Sequence, residues 1–273
     1  MPTHLLLHKA LAASPAEGPP CLADLSRLAP AVARALWWAT DLHRAEIEAV
    51  PTGFAALDAE LPGGGWPCRS LTELLQPQPS LCEWRLLAPG LKALVRGGGQ
   101  LLLVGPPKRP HAPGLAQFGL PAQSLVWFAA DTPSERLWTT EQLIGANPRG
   151  AIVAWLPQAR PEQLRRLQVQ AQSCDCPVFV LRPEQARREA SPAPLRLVAT
   201  FGLDWELHVQ ILKRRGGPHE GILTLPSIPG ILAEVLTPRL LRPSQLMTPR
   251  DANHVNALGR AAEPTARRHL ARH

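Results

Sequence analysis

Five short apolar runs, separated by stretches with helical patterning, restrict what this chain can fold into. They are Ser70 to Leu75, Gln100 to Val104, Leu125 to Ala129, Ala151 to Leu156 and Pro177 to Leu181. They are apolar runs rather than clean alternations, the pattern of strands buried on both faces of a parallel sheet. Between them, Ser80 to Arg96 sets Leu81, Trp84, Leu87, Leu91 and Leu94 on one side of a helix that stops at Gly97-Gly98-Gly99. Thr132-Pro133-Ser134-Glu135 opens a second helix with an N-cap and a proline at the first helical position. Pro161 to Ser173 reads as a third. Strand and helix therefore alternate, which predicts an α/β fold with a mostly parallel sheet covered by helices on both faces. Leu195 to Ala199 and Glu206 to Leu212 add two strands separated near Gly202, Lys213 to Gly217 is a basic turn, and the fold ends near Leu225 to Leu236.

At 273 residues the chain has room for one core plus extensions, since domains run to about 250 residues. Residues 1–48 read as a mobile, proline- and alanine-rich start followed by a short helical lead-in. In that lead-in Leu25, Leu28, Val32, Leu36, Leu42 and Ile47 recur near the helical period. It packs either on a partner or on its own domain. Residues 49–236 form the α/β body. Residues 237–273 carry seven arginines against two acids, a net +5 of the chain's +7, and read as a disordered basic tail. The 31 prolines fall at element ends as punctuation. Trp66, Trp84, Trp127, Trp138, Trp155 and Trp205 fall in predicted core elements, and most read as packing.

Five cysteines, an odd number, do not make a disulfide framework, and a reducing cytoplasm is the expected setting. Cys174-Asp175-Cys176 lacks the second pair that a structural zinc site needs, so no metal is expected. No run has the length of an export signal or a membrane span, so no membrane association is expected.

The stretch Pro51 to Trp84 carries the functional information. Phe54, Leu57, Ala59 and Leu61 pattern a short helix, Pro62 to Gly65 form a turn, and the strand Ser70 to Leu75 follows. In a nucleoside triphosphatase the next loop reads GxxxxGK[ST], whose backbone amides and lysine cradle phosphates. Here it reads Gln76 to Glu83. Thr52-Gly53, Leu57-Asp58, Leu61, Gly64-Gly65, Pro67, Glu73 and Pro77 stand where the RecA recombinase has the same residues, and the chain resembles RecA without gaps from Pro51 to Pro77. In that register the two glycines of the phosphate loop become Gln76 and Leu81, the lysine becomes Cys82, and the magnesium-holding threonine becomes Glu83. The catalytic glutamate falls on Pro107 and the metal-site aspartate on Trp155. The resemblance thus implies a RecA-like body that is a pseudo-ATPase, with no catalytic residues and no cofactor.

VPTGFAALDAELPGGGWP, SLTELL, Ala35-Leu36-Trp37 and AIVAWLP are similar to the hallmark segments of the ImuA family, RecA-like or SulA-like proteins of bacterial translesion synthesis. That resemblance implies a non-catalytic accessory protein of a DNA-damage-induced mutagenesis complex. It would bind a Y-family polymerase homologue (ImuB-like) beside an error-prone C-family polymerase, and in some settings RecA, associating with the nucleoid in that complex. The alternative is a SulA-like cell-division inhibitor that binds a division GTPase. A third is an ATPase with a rewritten site, which the three losses oppose.

Of the 29 basic side chains only four are lysine, and guanidinium favours bidentate contact with phosphate or carboxylate. Candidate DNA or partner contacts are Lys108 and Arg109, with His111, in the loop Gly105 to Gln117. This loop sits at the carboxyl edge of the sheet, where α/β folds keep their sites. Arg187 and Arg188 lie in Arg182 to Arg196, read as a mobile loop, and Arg267 and Arg268 in the tail. Each group contacts a phosphate backbone, contacts an acidic partner, or is merely solvated. Any DNA affinity carried this way is weak, sequence-independent and salt-sensitive.

Overall fold

The computed structural model describes residues 48–79, 82–228 and 230–246. The chain divides into residues 1–45, outside that range, and a unit from residue 46 onward. Its elements are β1 (Ala49–Val50), α1 (Ala55–Glu60), β2 (Trp66–Pro67), β3 (Leu71–Gln76), α2 (Glu83–Arg96) and β4 (Gln100–Val104). α3 (Ala112–Gln117), β5 (Leu125–Phe128), α4 (Pro133–Ala146), β6 (Gly150–Trp155), α5 (Pro161–Ala171) and β7 (Val178–Pro183) follow. After a 3-10 turn (Glu184–Arg188) come β8 (Leu195–Phe201), β9 (Glu206–Lys213), β10 (Leu223–Pro226), α6 (Gly230–Val235) and α7 (Pro238–Leu241). Eight strands form one sheet in the order β10-β9-β8-β3-β7-β6-β4-β5. From β8 to β5 neighbours run parallel, and β9 and β10 complete the other end antiparallel. This is the mostly parallel α/β sheet expected.

Side chains alternate across the pleat, so each apolar run feeds two cores. Leu101, Leu103, Val153 and Phe179 pack with Leu57 of α1 and Leu86, Leu87 and Leu91 of α2. Leu102, Val104, Ile152, Ala154, Val178 and Val180 pack on the other face with Ile144 of α4 and Leu164 and Leu167 of α5. Burying a leucine fully contributes about 1.5–3 kcal/mol, which is why runs that look indifferent to face become the centre of the molecule. The turns follow local chemistry. Thr132 and Glu135 cap α4 reciprocally, through Glu135 N to Thr132 Oγ1 at 3.2 Å and Thr132 N to Glu135 Oε2 at 3.0 Å. Asn147, at φ 45°, ends that helix.

Four expectations need correction. Pro89 lies inside α2, so not every proline is punctuation; there it meets Gly53, where an added Cβ would come 2.5 Å from the Pro89 Cβ. Trp127 and Trp138 are 40% and 63% exposed, unlike the buried Trp66 and Trp155. β5 is an edge strand and Trp138 stands on the outer surface of α4, where apolar periodicity is weak. Arg182 belongs to β7, not to a mobile loop, and Arg196, where that loop overlaps the expected strand Leu195 to Ala199, belongs to β8; both are buried. Finally, a disordered tail does not begin at residue 237: Thr237 to Leu246 form α7 and a 3-10 turn (Pro243–Leu246) tied to the body. Trp205 Nε1 donates to Leu240 O at 2.9 Å, and Ser244 N and Oγ donate to the Asp204 carboxylate at 2.8 and 2.5 Å. The helical lead-in and residues 247–273 lie outside the described residues.

Candidate functional site

The parallel strands end together along one edge, and β3, β4 and β6 deliver the residues singled out in the sequence to that edge. Gln76, the last residue of β3, is buried, and its Oε1 accepts a hydrogen bond from the backbone N–H of Cys82 at 3.4 Å. Cys82 is the N-cap residue of α2 and is completely buried, as is Glu83 after it. Burial, and then the negative charge of Glu83, push the Cys82 thiol up to about 12. It therefore stays a neutral, apolar filler at neutral pH. Leu81 lies outside the described residues.

Trp155 ends β6 on the same face as α2. It is 4% exposed and stacks at a tilt on Trp84 of the first turn of α2, ring centroids 6.0 Å apart at 52°. An indole pair thus stands where the resemblance to RecA would set a metal-holding carboxylate against a phosphate loop. The first cation of α2, Arg85, is turned away from this corner. Its Nη2 donates to Ser227 Oγ at 2.5 Å and its guanidinium carbon lies 5.9 Å from the Trp205 ring centroid. Burial also lowers its pKa below the usual guanidinium value.

Pro107, Lys108 and Arg109 are exposed on the loop after β4. Lys108, Arg109 and His111 line a cavity of 290 Å³ together with Trp84, Phe118 and Trp155. The structure therefore joins the loop cations to the Trp155 corner. Arg109 also lies over Trp127 of β5, 5.4 Å from its centroid. Arg187 and Arg188 are exposed on the 3-10 turn and line a different cavity. Arg267 and Arg268 lie outside the described residues.

A charge cluster under that 3-10 turn escaped the sequence reading. Glu73 and Arg196 are register partners across β3 and β8, and Arg182 enters from β7 on the same face. Arg182 Nη1 donates to Glu73 Oε1 at 2.9 Å and Arg196 Nε to Glu73 Oε2 at 2.6 Å. The three side chains are 1%, 2% and 8% exposed for Glu73, Arg182 and Arg196. Their remaining donors hold the following segment: Arg182 Nη2 reaches Ala159 O and Glu189 Oε2, and Arg196 reaches the carbonyls of Ala186, Arg187 and Glu189. The turn carrying Arg187 and Arg188 is thus strapped to the sheet by buried charge. One signal was present in the sequence, a carboxylate inside the apolar run SLTELL, because a buried charge demands a partner.

The cysteine motif folds as a thiol pair: Cys174 Sγ and Cys176 Sγ are 3.4 Å apart and both buried. The hydrogen bond from Cys176 pulls Cys174 down to about 7, and the same contact pushes Cys176 up. Among the described residues no group of three or more His, Cys, Asp or Glu side chains is placed to hold a metal, and no helix is long and apolar enough to cross a membrane.

No protein-family model matches the chain. Over 112 residues, 41% of its length, the chain is 26% identical to the cell division inhibitor SulA of Photorhabdus laumondii. It spans 63% of the length of that relative.

Proposed function

We propose that this protein is a non-catalytic accessory factor of a DNA-damage-induced translesion synthesis complex, with the character of an ImuA-type protein. It works by binding, through a RecA-like body that does not hydrolyse ATP. The observation that carries this reading is the Trp84–Trp155 corner with buried Cys82 and Glu83 beside it. Such a corner offers packed indoles and a carboxylate where phosphoryl chemistry needs cations and free amides. The similarity to SulA agrees with the SulA-like label that ImuA-type proteins carry. The partners in this reading are a Y-family polymerase homologue, an error-prone C-family polymerase and RecA, with weak non-specific DNA contact, in the cytoplasm at the nucleoid.

The SulA similarity also favours a second reading, a division inhibitor that binds a division GTPase. Size-exclusion chromatography of the purified chain mixed with either purified partner separates the two. Co-elution with the polymerase homologue and not with the GTPase supports the first reading; the opposite result replaces it with the second.

A further inference from the structure

The corner built by Trp84 and Trp155 is not sealed. Its cavity of 290 Å³ has Trp84, Trp155 and Phe118 along its walls and Lys108, Arg109 and His111 at its rim, with no carboxylate among its described lining residues. That volume of 290 Å³ falls just below the range of ligand pockets, about 300 to 1,000 Å³, so it suits a single planar group rather than a whole nucleoside triphosphate. Trp155 keeps an indole N–H with no partner among the described residues. Just outside stands Trp127, 40% exposed, with the Arg109 guanidinium over it. Moving outward, the surface offers an aromatic face, then cations, then a second aromatic face.

We propose that this cavity receives one unstacked base of single-stranded nucleic acid, with Lys108 and Arg109 on the flanking phosphates and Trp127 as a second stacking face. Single strands present base and phosphate in alternation, the same alternation as this surface. Aromatic stacking accepts any base because every base has a π-face, and the cations track the backbone. A base paired in a duplex is not available to the cavity without unstacking. The proposal rests on the accessory reading only in placing DNA within the protein's reach. It adds a site whose affinity does not come from phosphate attraction alone.

Fluorescence anisotropy with the full chain tests it, using labelled oligo-dT of about 12 nucleotides, within the usual site sizes, against a duplex of the same length. The single strand should bind at least about tenfold more tightly and quench tryptophan emission. Lys108→Glu with Arg109→Glu should weaken binding at least about tenfold and flatten its salt dependence. Trp84→Ala should weaken it at least about fivefold, the low end for one stacked base, with the salt slope kept. If Trp84→Ala fails to fold, the loop pair, exposed on the surface, decides. Equal binding to duplex, no binding to oligo-dT, or full affinity in the loop pair or in folded Trp84→Ala overturns the proposal. So does displacement of the oligonucleotide by Mg-ATP or by a peptide of Asp, Glu and Phe, which would assign the cavity to that ligand. Co-elution with the polymerase homologue does not depend on any of these outcomes, so the accessory reading stands or falls separately.

Discussion

Replacing Glu73 by alanine removes one carboxylate and strands two buried guanidinium groups. Breaking a buried ion pair by deleting one partner costs about 3–5 kcal/mol. Here the deleted group serves two pairs, at 2.9 and 2.6 Å. The cost does not double, because Arg182 keeps Ala159 O and Glu189, and Arg196 keeps three backbone carbonyls. A loss of about 3–5 kcal/mol is a large share of the roughly 5–15 kcal/mol that holds a domain together. With a urea m-value of about 2 kcal/mol/M, it lowers the unfolding midpoint by about 1.5–2.5 M. Glu73→Gln, which keeps volume and an acceptor, should fall between wild type and alanine. The triple replacement Glu73→Leu, Arg182→Met, Arg196→Met should be milder than Glu73→Ala, since apolar replacement of a whole buried cluster is often neutral or better. A midpoint shift in Glu73→Ala under about 0.5 M at unchanged m would refute the view that this carboxylate holds β3, β7 and β8 together.

Cutting the chain after Leu236 removes the contacts to Trp205 and Asp204 and should lower the melting temperature by about 2–4 °C, the effect of about 1 kcal/mol in a domain of this size; an unchanged melting curve would show that residues 237–246 add nothing. The hydrogen bonds from Ser244 hold the Asp204 carboxyl below the ordinary aspartate range. Its stabilisation is therefore full above the unfolded value of about 3.9 and is lost as pH falls through the lower folded value. An Asp204→Asn variant should lose that acid step in a pH series of melting temperatures. Gly150 sits at φ +132°, where a Cβ would fall 1.8 Å from Gln100 O. Gly150→Ala should thus cost at least about 3 kcal/mol or yield no folded protein, measured by urea unfolding.

Much of the fold was legible in the sequence because its signals are local. β4 begins and ends at the residues expected, Gln100 and Val104, because glycines bound it on both sides. α4 announces its start through the Thr132–Glu135 capping box. What was not legible depends on partners far away in the chain. Arg182 looks like a loop residue because it is charged, Arg196 falls at the start of an expected strand with no partner in view, and only the register of β3, β7 and β8 brings them to Glu73, 109 and 123 residues away. Trp84 and Trp155 looked like ordinary packing residues. Their cavity, and its meeting with Lys108 and Arg109, emerges only when β6 and the loop after β4 end at the same edge. The exposure of Trp127 follows from β5 lying at the sheet margin, which no local pattern reveals.

The corner formed by Gln76, Cys82, Glu83, Trp84 and Trp155 is proposed not to take a nucleoside triphosphate, since an indole pair and a buried carboxylate stand where phosphates would need cations. Isothermal titration calorimetry of the chain with Mg-ATP is the test. The wild type should give no binding heat, and neither should Cys82→Lys, because in the resemblance to RecA Gln76, Leu81 and Glu83 take the places of the phosphate loop's glycines and threonine. A dissociation constant in the micromolar range for the wild type would contradict it.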